Sequence, residues 1–448
     1  MKRLRMSSGH GNVDRLSSLP EELLSRILSL MPTKFAVRTS TLSKRWRYHW
    51  TFVTNLDFDD MHPVYGLDCF LKFVDRVLKL CETSQVKLFR LSFSRYVVPK
   101  SSVSMWINEA IKLNVCELDI TVTMPELPPN LFTCRTLTKL RLDASCVDLT
   151  VPFPVILPRL KTLDISVQNR PSLNAFRVIH GCPVLERLSL LIRLCDDEDC
   201  KFNIPTLKRL ELTTYGQAPV INKIVLNLPN LEYLGVDGCL RSAFVMEDLS
   251  SLVEVTVSCD NHHKKCLLPE LLKGIRGVKS LVLCGPALDD VLKSPMPKFP
   301  NLRHLELKGS TRTTLLHVFT ELGSSSELQP IRFEELFFHR ITLGSLSGFD
   351  IKQKREIYYS IEPQSLPTWM LTSLRTLKIT RCKGRNCNIE FLKYMLGNAE
   401  VLKTLTITCE SLRMKDEMQL CARLLTFPRA SRYCQIHIVG KWLNTLGN

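Results

Sequence analysis

No run of apolar residues in this 448-residue chain reaches the roughly 18 to 20 needed to span a bilayer. The first residues, MKRLRMSSGHGN, carry charges with no apolar core behind them, which reads against a secretory signal. The phosphate loop G-x-x-x-x-G-K-[ST], the dinucleotide turn G-x-G-x-x-G, the zinc helix H-E-x-x-H and the nucleophile elbow G-x-S-x-G are all missing. The usual sequence marks of membrane insertion, secretion, nucleotide binding and hydrolysis are therefore lacking, and neither a catalytic residue nor a cofactor site is expected. Cysteines number seventeen, but they are scattered and odd in count, many beside strand-like apolar residues (Cys116, Cys134, Cys284, Cys409). They read as reduced thiols packed like small hydrophobes in the nucleus and/or cytoplasm. The pairs Cys195/Cys200 and Cys382/Cys387 have no second ligand pair of zinc type beside them, so no metal is expected.

What is present is a strong basic balance, +16 overall, and its distribution matters more than its size. Residues 1–50 hold 10 basic and 3 acidic side chains, and residues 351–448 hold 16 and 7, while residues 51–350 hold 34 of each. A protein gripping a phosphate backbone is expected to carry its excess along its main binding surface. Here the excess sits at the two ends, which argues against nucleic acid as the main partner.

The stretch from Asp14 to Asp60 organises the rest. Leu19-Pro20 followed by Glu21 and Glu22 marks a helix start, because proline suits the first turn and early acids favour the positive helix end. Leu23, Ile27 and Leu30 recur at helical spacing, flanked by Leu24, Leu28 and Met31, and Pro32 stops the helix. A second helical piece is expected at Phe35 to Thr39. A third is expected from Ser43, with Trp46 and Trp50 one turn apart among Lys44, Arg45 and Arg47. Three short helices make a small core, so some apolar surface is left for a partner.

LPEELLSRILSLMPTK followed by TSTLSKRW resembles an F-box, in the form found in the plant family that joins an F-box, leucine-rich repeats and a carboxy-terminal FBD segment. The resemblance implies docking on a Skp-family adaptor, and through it on a cullin-based ubiquitin ligase. The positions that match the pattern, and so are assigned to the adaptor, are Leu19, Pro20, Leu23, Ile27, Leu28, Leu42 and Trp46. Some of these must instead build the module's own core, Trp46 and Trp50 being the most ambiguous.

Beyond Leu88 a unit of apolar, two others, apolar, one other, apolar repeats at intervals of 21 to 27 residues. It runs from Leu88/Leu91/Phe93, Val115/Leu118/Ile120 and Leu137/Leu140/Leu142 to Val278/Leu281/Leu283 and Leu302/Leu305/Leu307. Residues two apart point to one face of a strand, and no single unit can bury that face alone. Stacked units can, which predicts a leucine-rich-repeat solenoid with a parallel sheet. The rhythm loosens after Lys308: Phe333/Leu336/Phe338 fits, then Gly344 to Gly348 and Lys352 to Glu356 read as an insertion.

From Glu362 two more strands appear (Leu374/Leu377/Ile379 and Leu402/Leu405/Ile407), with a helix Ile389 to Ala399 between them. A helix Lys415 to Leu425 and a strand Cys434 to Ile438 follow. With Lys383-Gly384 and Phe427-Pro428-Arg429-Ala430-Ser431, this segment resembles the FBD domain, departing only in having Lys378 and Thr380 in its first strand. The fold class is α/β, divided as a disordered basic tail 1–13, F-box 14–60, linker 61–87, repeats 88–361, FBD 362–440 and tail 441–448. The function this implies is substrate recognition for an SCF-type ubiquitin ligase, with the repeats holding an unknown protein substrate. The other reading is a non-degradative scaffold or nucleic-acid-associated regulator that uses the basic ends.

Overall fold

The computed structural model describes residues 19–59, 66–93, 97–122, 127–144, 151, 154–167, 172–193, 199–215, 223–238, 243–258, 267–284, 297–308, 331–334, 371–372, 374–380, 382, 384, 386–409 and 412–442. They fall in two compact units, Met1–Leu190 and Leu191–Asn448. The architecture is α/β, with helices at the amino-terminal end and long parallel sheet beyond.

In the first unit, α1 (Glu21–Ser29) follows Pro20 at its N-cap, and Pro32 caps α2 (Thr33–Arg38). The third helix expected from Ser43 does not form. The chain instead makes a 3-10 turn at Thr39–Thr41, irregular turns through Tyr48, and a second 3-10 turn at His49–Phe52. Within these turns the Ser43 hydroxyl accepts the Trp46 N–H at 3.4 Å.

The next segment, β1 (Asn55–Asp59), is already the first strand of the repeat sheet. It lies parallel to β2 (Leu88–Phe93), with Leu56 beside Phe89 and Phe58 beside Leu91. Of residues 61–87, expected as a linker, the described part from Gly66 carries the helix of a β-α-β unit. Its helix α3 (Gly66–Leu80) buries Val74, Val77 and Leu78, and Phe73 meets Phe58 edge-on at 6.1 Å.

The strands β3 (Glu117–Val122), β4 (Lys139–Ala144) and β5 (Thr162–Val167) stack in parallel, with β6 (Arg187–Arg193) next in order. In register, Leu118 lies beside Phe89 and Ile120 beside Leu91. The first repeat is thus Val86/Phe89/Leu91, not Leu88/Leu91/Phe93; Val86 is buried and Leu88 half-exposed. A slip of two residues keeps the same face inward, so apolar spacing alone permits both registers. The outer layer holds α4 (Lys100–Lys112) and α5 (Ser172–His180). Trp106 of α4 donates its indole N–H to Asp75 of α3 at 2.6 Å.

In the second unit the main sheet runs β8 (Arg209–Tyr215), β10 (Tyr233–Gly238), β12 (Glu254–Ser258), β13 (Ser280–Cys284), β14 (His304–Lys308) and β15 (Ile331–Glu334). It continues through β16 (Thr376–Thr380), β17 (Thr404–Thr408) and β18 (Gln435–Val439), where the order ends. A second parallel sheet, unforeseen from the spacing, is built by β7 (Cys200–Asn203), β9 (Lys223–Asn227) and β11 (Ala243–Asp248), in the order β11-β9-β7. Ile331 and Phe333 lie beside Leu305 and Leu307, so the repeat expected at Phe333/Leu336/Phe338 is displaced by five residues, with Phe333 in the last apolar position and not the first. Leu336, Phe338 and the insertion expected at Gly344 to Glu356 lie outside the described residues.

Gly238 ends β10 at φ +94°, with the Thr214 carbonyl where a Cβ would stand, so only glycine fits there. Helices described in this unit include α6 (Leu268–Gly274), α7 (Asn386–Asn398) and α8 (Met414–Thr426). Leu392, Met395 and Leu396 of α7 face inward as expected, as do Leu420 and Leu424 of α8.

Candidate adaptor-binding surface

Helix α1 carries two apolar stripes. Leu24 and Leu28, four apart, are fully buried against the rest of the module. Leu23, Ile27 and Leu30 occupy another face and remain 45%, 39% and 80% exposed. A helix that serves only its own core has no use for the second stripe.

The seven residues assigned to an adaptor by sequence separate accordingly. Leu23, Ile27 and Leu42 are exposed, Pro20 is exposed at the head of α1, and Leu19 is half-buried. The Leu19 carbonyl accepts a hydrogen bond from the Arg45 guanidinium at 2.7 Å, which ties the head of α1 to the turn after α2. Leu28, at 0% exposure, and Trp46, at 5%, are buried in the module's own core and leave little or no surface for a partner. Trp50 is likewise buried. Sequence reasoning missed Leu30, Phe35, Tyr48 and Phe52 as exposed apolar side chains. The signal for Leu30 was present, since it continues the Leu23/Ile27 spacing; the two aromatics near Trp50 needed the turn geometry.

This surface is anchored to the sheet by buried polar contacts. Thr33, fully buried, accepts the Asp57 N–H of β1 on its hydroxyl at 2.7 Å. Ser29 accepts the Thr54 N–H at 3.1 Å, and the Thr54 carbonyl takes the Lys87 N–H at 2.7 Å. The module's exit strand and its first repeat are thus one hydrogen-bonded body.

The open face of β1 to β5 carries a ladder between the buried apolar pairs: Asp57, Arg90, Asp119, Arg141 and Asp164, in register. Arg90 lies 3.6 Å from Asp57 and 3.1 Å from Asp119; Arg141 lies 3.9 Å from Asp119 and 3.3 Å from Asp164. Asp57 Oδ1 and Asp119 Oδ1 are buried without a hydrogen-bond partner. Burial raises the Asp57 carboxyl above its ordinary value, with Arg90 opposing the shift, and burial raises Asp164 with Arg141 opposing.

Two of the thiols are held in the neutral form by the same physics. Desolvation pushes Cys182 up to about 12, and pushes Cys409 up to about 12 with Cys382, Glu417 and Cys421 nearby. Among the described residues no group of three His, Cys, Asp or Glu side chains is arranged to hold a metal, and no helix is long and apolar enough to cross a membrane.

Comparison with known proteins divides the chain along the same lines. The F-box domain family matches residues 16–56, the family described as "FBD-associated F-box protein At5g56370, LRR repeats" matches residues 103–248, and the FBD family matches residues 362–407. The chain is 30% identical to the F-box/FBD/LRR-repeat protein At1g78750 of Arabidopsis thaliana, covering 98% of this chain and 99% of that one. It is 29% identical to the FBD-associated F-box protein At5g56370 of the same plant, over 95% and 99%. To the F-box/LRR-repeat protein At3g59200, also of Arabidopsis thaliana, it is 34% identical over 66% and 64%.

Proposed function

The chain belongs to the plant F-box/FBD/LRR-repeat family, and on that premise we propose that it is the substrate-recognition subunit of an SCF-type ubiquitin ligase. In this reading the F-box docks on a Skp-family adaptor, the adaptor joins a cullin, and the repeats hold a protein substrate. The observation that carries it is the outward stripe Leu23/Ile27/Leu30 beside the separate inward pair Leu24/Leu28. The outward side chains are large, apolar and held on a helix whose other face is already satisfied, which is the make-up of an interface anchor.

The chain contributes proximity and no bond chemistry of its own. Holding a substrate and a ubiquitin-carrying enzyme in one assembly raises the effective concentration of a lysine near the reactive thioester. The test is titration of a purified Skp-family adaptor against the wild-type chain and a Leu23→Ala/Ile27→Ala variant, with circular dichroism on both. A central anchor lost in this way weakens binding by about 2 kcal/mol or more, roughly thirtyfold. Absence of adaptor binding by the folded wild type would overturn the assignment.

A further inference from the structure

The last three strands of the second unit present a face whose chemistry the family resemblance does not account for. Opposite the buried Leu377/Ile379 and Leu405/Ile407, β16 and β17 turn outward Thr376, Lys378, Thr380, Thr404, Thr406 and Thr408, all half-exposed. Strand β18 adds Gln435, His437 and Val439, exposed on the same face. Lys378 lies beside Thr406, and Thr406 beside His437. None of these strands contains an acidic residue. Cations stand at their leading ends, Lys403 before β17 and Arg432 before β18, both exposed, next to Tyr433 at 86% exposure. Lys441 follows β18 at its far end. Among the described residues no carboxylate forms an ion pair with these side chains.

Among the described residues the sheet order ends at β18, so one edge of that strand has no paired strand. Gln435 donates its N–H to the Lys403 carbonyl and Val439 accepts the Cys409 N–H, so the alternate residues 435, 437 and 439 face β17. By the strand's period of two, the main-chain groups of Ile436 and Ile438 point out along the free edge. An open edge is a template for another strand.

We infer that this edge and face form a docking site for an extended, acidic segment of a partner protein, which adds beside β18 and places carboxylates against Arg432 and Lys441. Charge complementarity selects the occupant. A second copy pairing antiparallel would bring Arg432 of one chain near Lys441 of the other, like charge on like. Nucleic acid is the poorer fit: three strands are only about 10 Å across, whereas a protein held through the phosphate backbone commonly makes roughly 6 to 10 phosphate contacts. Moreover only a polypeptide can complete the main-chain ladder. The edge lies beyond the matched FBD residues 362–407, and its test does not depend on adaptor binding.

The probe is a fluorescein-labelled peptide of alternating Glu and Val, about eight residues long, enough to pass a five-residue strand and reach the cations at its ends. It is titrated against the full chain by polarisation at low and high salt. Saturable, salt-sensitive binding is expected, weakened tenfold or more by Arg432→Glu/Lys441→Glu and by N-methylation of alternate amides in the probe. A Lys-Val peptide of the same length should not bind. Failure of the Glu-Val peptide to bind the folded chain would overturn the inference, as would binding indifferent to charge reversal. So would tight binding of single-stranded oligothymidylate in its place.

Discussion

Replacing Arg90 by methionine removes one rung of the ladder on the open face of the first unit while keeping most of the side chain's stem. Arg90 reaches two carboxylates, 3.1 Å to Asp119 and 3.6 Å to Asp57, but its side chain is 44% exposed. Each contact in so wet a position is worth at most about 1 kcal/mol. Both carboxylates already hold one buried oxygen without a partner, so losing the cation adds a desolvation cost of the order of about 1 kcal/mol. The expected loss is about 2 kcal/mol at neutral pH.

Its pH dependence identifies the cause. The Asp57 carboxyl lies above its ordinary value through burial, with Arg90 the opposing influence and Asp59 and Asp119 adding to the rise. A carboxyl raised on folding costs stability when ionised and returns it as pH falls through the raised value. Without Arg90 that value climbs further, so the gap between variant and wild type is widest at neutral pH and narrows on acidification. Urea unfolding across this range, followed by the fluorescence of the first unit's Trp46, Trp50 and Trp106, measures it. The double variant Arg90→Met/Asp57→Asn should be less damaged than the sum of its parts. A gap that stays constant with pH, or strict additivity, would show that Arg90 acts through packing and would refute the electrostatic account.

Three further outcomes are expected. Leu28→Ala, in a fully buried site, should cost about 2 to 5 kcal/mol of stability, whereas Leu23→Ala should stay within about 0.5 kcal/mol by the same denaturation assay. Cys182 and Cys409, both pushed up to about 12, should resist alkylation at pH 8 until the chain unfolds, while exposed Cys69 reacts in the native state, as mass spectrometry of timed samples would reveal. Gly238→Ala should destabilise the second unit by about 1 to 3 kcal/mol in thermal melts, since its φ and the Thr214 carbonyl both exclude a side chain.

The repeat sheet was legible because each unit needs its neighbours: Leu118/Ile120 and Leu140/Leu142 mean little singly but define a spine together. Register at the array's start was not, because Leu91 belongs to either frame and only the partner strand decides. The β7-β9-β11 sheet was hidden because its segments, such as KIVLN, lie between the conspicuous leucine units and share their composition. In the F-box the resemblance located the site as a whole. It could not separate Leu28 from Ile27, adjacent in sequence and on different faces of one helix, until the packing of α1 was known.

The strand β1 alters what counts as a portable module. The F-box family match ends at residue 56, in the middle of β1, and leaves Asp57, the partner of buried Thr33, on the far side. A fragment cut at that boundary loses half a strand and a buried hydrogen bond, and the remaining repeats lose their first strand. Grafting this F-box onto another receptor therefore has to carry the chain through Phe93, the end of the first complete β-α-β unit, so that adaptor contact and repeat array are exchanged together.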